Sequence, residues 1–79
     1  MPAFTLDDLQ KIAREIIGDR DIVLAPQMSA DDVPGWDSLN HTLITLEIAG
    51  RFGANVEAPE LGGIPTFGEV VTFINHRMS

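Results

Sequence analysis

Apolar residues recur at helical spacing in three separate stretches of the chain. In the first, Leu6, Leu9, Ile12, Ala13, Ile16 and Ile17 follow the i, i+3, i+4, i+7 pattern of one buried face, and Lys11 and Arg14 fall largely on the other. This predicts a helix from Thr5 to about Gly18. Thr5 is its N-cap candidate, Asp7 and Asp8 sit in the first turn where the helix dipole favours acid, and Gly18 is a suitable stop. Phe4 before the cap and Leu9 within the helix are placed to form a hydrophobic staple.

The second stretch, Asp37 to Phe52, has two apolar stripes. Ile44, Ile48 and Phe52 form one, and Leu39, Leu43 and Leu46 form another on nearly the opposite side. One helix in a small bundle cannot easily bury both. Either loops cover the second stripe, or it is partly exposed and meets a partner. The pattern alone leaves both open. Asp37 is the expected N-cap, which makes Ser38 the first helical residue, and Gly53 follows as the C-terminal glycine.

The third stretch, Thr66 to about Met78, is predicted as the last helix. Thr66 and Glu69 have the spacing of a capping box. Phe67, Val70, Val71 and Ile74 supply the inner face, with Phe73 beside it.

The connections read differently. Gly18 to Trp36 is a long loop in which Pro26 and Pro34 argue against a continuous helix. Loops of this length are usually functional or held by their own side chains. Here Ile22, Leu24, Met28 and Val33 are placed to pin the loop to the core. Ala54 to Pro65 contains Pro59, Gly62, Gly63 and Pro65, and is read as a loop with at most one short helical turn around Glu60 to Gly63. No stretch alternates convincingly as a strand. The expected fold is all-α: a small bundle of three main helices and one short helix, forming a single domain over residues 1–79.

Composition narrows the function. The chain has 79 residues and no cysteine, which excludes a disulfide scaffold and a cysteine-based zinc site. Acids outnumber bases 12 to 5, for a formal charge of −7. Such a surface repels phosphate backbones and anionic lipid, so no nucleic acid partner is expected, while a basic patch on another protein is attracted. No apolar run approaches a membrane span, and Asp7, Asp8, Gln10, Lys11, Arg14 and Glu15 interrupt any signal-peptide pattern. The expectation is a cytoplasmic monomer without membrane insertion. With 44% hydrophobic residues, the chain is not composed like a disordered one.

Few residues are placed as chemistry requires. Asp19, Asp21, Asp31 and Asp32 lack EF-hand spacing and its terminal glutamate, so they read as a solvated acidic loop. Ser38 stands at a helix N-terminus, where N–H groups and the dipole favour an attached phosphate. Serine is also an ordinary helix starter, and the residues alone leave both readings open. Gly35-Trp36-Asp37-Ser38-Leu39 is not a G-x-S-x-G nucleophile elbow and has no strand before it. His41, three residues on, can approach Ser38, but an orienting acid, an oxyanion hole and a cleft are also needed. His41 is therefore read as a packed helix residue, His76 as a last-turn residue suited to the dipole, and Trp36 as a loop anchor. No third ligand accompanies the two histidines, so no metal site is expected.

Gly35-Trp36-Asp37-Ser38-Leu39 resembles the G-x-D-S-L attachment motif of acyl carrier proteins. The resemblance spans nearly the whole chain. It covers an amphipathic first helix, a long acidic loop, Asp-Ser-Leu opening a helix that ends at Arg51-Phe52, a short element, and a final helix opened by Ile64-Pro65-Thr66. It implies an acyl-carrier-like fold and a non-catalytic carrier. Ser38 would bear a covalent 4′-phosphopantetheine arm, installed from coenzyme A by a separate phosphopantetheinyl transferase whose Mg²⁺ belongs to that enzyme. The arm's thiol would hold acyl intermediates as thioesters and present them to acyl-loading and acyl-processing enzymes of fatty acid, polyketide or related lipid biosynthesis. Asp37 matches the motif's acid and Leu39 its leucine. In the family the second helix is the main docking element, which implies partner recognition by Asp37, Leu39, Leu43, Leu46 and Glu47.

The chain also departs from the pattern. Carriers of primary fatty acid synthesis usually have a strongly acidic second helix, whereas this one has only Glu47 after Asp37, with Asn40, Leu43, Ala49 and Gly50 at positions acidic in the family. That favours a dedicated partner with a more apolar contact, in a specialised pathway. Peptidyl carriers usually have His where this chain has Asp37, which argues mildly against an aminoacyl or peptidyl carrier. An unmodified helical adaptor of the same fold is the other alternative.

Overall fold

Each of the three longer helices begins where a capping residue meets the apolar spacing. In the computed structural model, which describes residues 3–78, the order is α1 (Leu6–Ile17), a 3₁₀ turn (Ala30–Asp32), α2 (Ser38–Phe52), α3 (Ala58–Gly62) and α4 (Phe67–Arg77). The all-helical class with three longer helices and one short one agrees with the sequence pattern.

Thr5 caps α1 in a full capping box with Asp8, and Gly18 ends it at φ 82 in the left-handed region. Leu9, Ile12 and Ala13 are buried, and Leu6, Ile16 and Ile17 pack on the core from its edge. Phe4, ahead of the cap, is buried and meets Phe52 of α2 edge-on, with centroids 4.8 Å apart. α1 packs against α2 and α4, and α2 packs against α3. Ile44, Ile48, Leu61, Phe67, Val70 and Ile74 close the same hydrophobic cluster from the other helices.

The long loop is held as its apolar residues predict: Ile22, Leu24 and Val33 are buried and Met28 packs against the core. Hydrogen bonds not visible in the pattern do as much. Gln10 Oε1 accepts from the Leu24 amide at 2.9 Å, and Arg14 Nε donates to the Ile22 carbonyl at 2.7 Å. Arg14 therefore folds back onto the loop instead of pointing to solvent. The loop in turn satisfies the first turn of α4, where the Phe67 and Gly68 amides donate to the carbonyls of Met28 and Pro26 at 2.8 and 2.9 Å.

Three local expectations need correction. α3 starts at Ala58, earlier than Glu60, and ends at Gly62. The Glu57 amide donates to Glu60 Oε1 at 3.1 Å, and Pro59 sits in the first turn, where its missing N–H costs nothing. The Thr66–Glu69 pair makes only the forward bond: Thr66 Oγ1 accepts from the Glu69 amide at 3.3 Å, without a return bond from the Glu69 carboxylate among the described residues. The 3₁₀ turn was not foreseen; the Ser29 amide donates to Asp32 Oδ2 at 3.0 Å, and the Asp32 amide donates to the Ser29 carbonyl at 3.0 Å.

Asn75 ties the chain ends together. Its Oδ1 accepts from the Phe4 amide at 2.9 Å, and its Nδ2 donates to the Phe4 carbonyl at 2.8 Å. No helix among the described residues is long and apolar enough to cross a membrane.

Candidate functional site

The loop entering α2 is fixed almost atom by atom. Val33 is buried and its carbonyl accepts from the Trp36 amide at 3.2 Å. Gly35 turns the chain at φ 88, and a Cβ there would lie 2.7 Å from Ile17 Cγ2 of α1. The conformation and the close approach both require glycine. The Gly35 carbonyl accepts from the Asp37 amide at 3.1 Å and from Asn40 Nδ2 at 2.8 Å. Asp37 caps α2 by accepting the Asn40 amide at 2.8 Å. Ser38 thus emerges as the first helical residue, exposed, with its carbonyl accepting from Thr42 Oγ1 at 3.0 Å.

Behind Ser38 lies a half-open cavity of about 780 Å³. Ser38, His41 and Thr42 of α2 stand on one side and Ala58 and Gly62 of α3 on another. Buried Ile44, Leu61, Phe67 and Val70 supply its apolar depth. Thr45 also lines it and is buried, but its hydroxyl is spent on the His41 carbonyl at 2.8 Å. A cavity of this size and character suits an apolar ligand of modest length.

His41 joins the walls. Its Nδ1 accepts from Trp36 Nε1 at 3.1 Å, and its Nε2 lies 2.8 Å from the Ala58 carbonyl. A carbonyl can only accept and an indole N–H can only donate, so the ring is the neutral Nε2–H tautomer. Both nitrogens are committed, and neither is left to take a proton from Ser38. His41 is the packed residue its sequence position suggests, and Trp36 is the anchor, tilted over Phe67 with centroids 5.0 Å apart. The cavity was not foreseen. Its signal was present: His41 falls three residues before Ile44 and so on the inner stripe of α2, one turn below Ser38.

The second stripe of α2 is open to solvent. Leu39, Leu43 and Leu46 are 68%, 42% and 63% exposed, against 1% for Ile44 and 0% for Ile48. Among the described residues no loop covers them, so the choice left by the sequence falls to exposure. Glu47 is not a free acid. Arg51 engages it and also reaches Glu15 of α1 at 2.7 Å. The bond to Glu15, and then that to Glu47, hold the Arg51 guanidinium above its ordinary pKa.

Asp19, Asp21, Asp31 and Asp32 are exposed, and His76 is exposed in the last turn of α4. Among the described residues, no group of three or more His, Cys, Asp or Glu comes together as a metal site. No protein-family model, curated protein or solved structure matches the chain.

Proposed function

We propose that this chain is an acyl carrier protein: Ser38 is an attachment point for 4′-phosphopantetheine and the rest of the fold presents it. The observation that carries this reading is an exposed serine on a rigid loop-to-helix junction, beside an apolar cavity, within Gly-Trp-Asp-Ser-Leu.

The residues suit the group. Ser38 opens a 15-residue helix whose N-terminal amides and dipole favour a phosphodiester. Gly35, Asp37 and Asn40 fix the junction, so a transferase meets one geometry without ordering a loop. Asp37 adds a carboxylate beside the hydroxyl. When bound, the arm supplies the thiol that carries an acyl group as a thioester. The cavity behind Ser38 gives an apolar cargo a place out of water. Leu39, Leu43 and Leu46 offer processing enzymes an apolar contact next to the serine, with Asp37 at its edge. That contact, and the pairing of Glu47, favour a dedicated partner over one that reads many acids. A cytoplasmic, non-enzymatic carrier fits these features.

The chain has no cysteine, so a thiol-specific reagent tests the reading. After incubation with a broad-specificity transferase, Mg²⁺ and coenzyme A, purified protein is expected to take up one maleimide per chain. Ser38→Ala is expected to take up none. No labelling of the wild type would favour an unmodified helical adaptor.

A further inference from the structure

We propose that His41 is the gate of the cavity: its imidazole latches α3 to α2 and decides how readily an apolar chain enters between them. The proposal rests on the cavity serving as a compartment behind Ser38, but it concerns the unmodified chain and can be tested without the arm.

The cavity lies in the seam between α2 and α3. α3 has only five residues and runs into exposed Gly62 and Gly63. Three ties fix it. Leu61 is buried in the core, Arg77 pairs with Glu60 at 2.9 Å on the outside, and His41 Nε2–H donates to the Ala58 carbonyl at 2.8 Å. Of these, the His41 bond crosses the seam at the cavity wall. Its ring also lies against Gly62, where an added Cβ would be 3.6 Å from Nε2. The opposite nitrogen is held by Trp36, which rests on Phe67 of α4. The imidazole therefore couples the loop before Ser38, α2, α3 and the start of α4.

A chain entering from Ser38 meets His41 one turn further along α2. Widening the seam requires the bond to Ala58 to break, and a bond of this kind changes an opening equilibrium by about ten-fold. The ring is neutral and donates to a carbonyl, so the latch can break and re-form without moving a charge. The depth of the passage is apolar, so the entrant it takes is an apolar chain, for which the apolar dye Nile red is the probe.

Two variants test the gate in the unmodified chain. His41→Phe keeps a ring of similar size and loses both hydrogen bonds. Trp36→Phe keeps the His41–Ala58 bond and loses only its support. Amide exchange is read by NMR at Leu61 and Ile64, whose amides donate to Glu57 and Leu61 within the α3 segment, and at Ile48 in the core of α2. Entry is read as the rate at which Nile red fluorescence rises. His41→Phe is expected to speed exchange at Leu61 and Ile64, and dye entry, by about ten-fold, with Ile48 little changed. Trp36→Phe is expected to show a smaller shift of the same pattern, and it carries the test if His41→Phe does not fold. Exchange rising equally at Ile48, or staying unchanged in α3, makes His41 an ordinary packing residue and overturns the gate. Neither result depends on whether Ser38 is modified.

Discussion

Gly35 carries two constraints at once. Its φ of 88 favours glycine, and the space where a Cβ would stand is taken by Ile17 at 2.7 Å. Gly53 shares the first constraint, at φ 65, but has open space around it. Gly53→Ala is therefore expected to cost about 1 kcal/mol, the backbone term alone. Gly35→Ala is expected to cost at least about 1 kcal/mol more, because α1 or the loop must shift. Urea midpoints compare them, and equal losses would mean that Ile17 yields freely. Asp37 raises a different question, since it can act as a cap or as a recognised charge. Asn caps helices as well as Asp does. Asp37→Asn is expected to leave the melting temperature nearly unchanged and to slow modification of Ser38 by the transferase. If both hold at wild-type values, Asp37 is a cap and nothing more. The capping role was legible from sequence; the contact of Gly35 with Ile17 was not, because nothing in local spacing reports which helix end a loop rests on.

At the scale of elements, α2 is the informative case. At about 100° per residue, Leu39, Leu46 and Leu43 lie about 180°, 160° and 140° from Ile48. Their exposures of 68%, 63% and 42% fall in the same order. The wheel therefore held the right ranking, while the choice between exposed and covered needed the path of the loops. Leu43→Glu is expected to change stability by less than about 0.5 kcal/mol, as surface substitutions do. It is also expected to weaken transfer to a partner enzyme. Ile48→Glu is expected to prevent folding, because it buries a charge without a partner. Circular dichroism and denaturant titration separate the two, and equal destabilisation would place Leu43 in the core. α3 was less legible. Pro59 and the two glycines read as breakers, yet a proline in a first helical turn is compatible with helix, and Leu61 draws the turn onto the core. The cavity escaped for a related reason: it depends on how far α3 stands from α2, which no periodicity encodes.

Across the whole molecule, the ends are joined by one side chain. Asn75 binds both backbone groups of Phe4 and also donates to the Val71 carbonyl at 2.9 Å. Asn75→Ala is expected to lower stability by about 1–3 kcal/mol, because partly buried backbone groups lose their partners. Amide exchange is expected to rise in α1 and α4 together. A loss confined to α4 would mean that the N-terminal segment is held by Phe4 burial alone. The number and order of the three longer helices were legible because capping residues and apolar spacing agree at each of their starts. The cross-links were not, since a bond between Phe4 and Asn75 leaves no trace in either local pattern. The formal net charge of −7 belongs to this scale too, and gives the whole molecule a negative field that salt screens.

The central claim is that Ser38 is an attachment point, and intact-protein mass spectrometry tests it most directly. The wild-type chain and Ser38→Ala are each incubated with a broad-specificity phosphopantetheinyl transferase, Mg²⁺ and coenzyme A. The account predicts that the wild type gains the mass of one phosphopantetheine, located by fragmentation on the Ser38 peptide, and that Ser38→Ala gains none. A wild type that stays at its original mass, or a Ser38→Ala chain that gains the same increment, would contradict it.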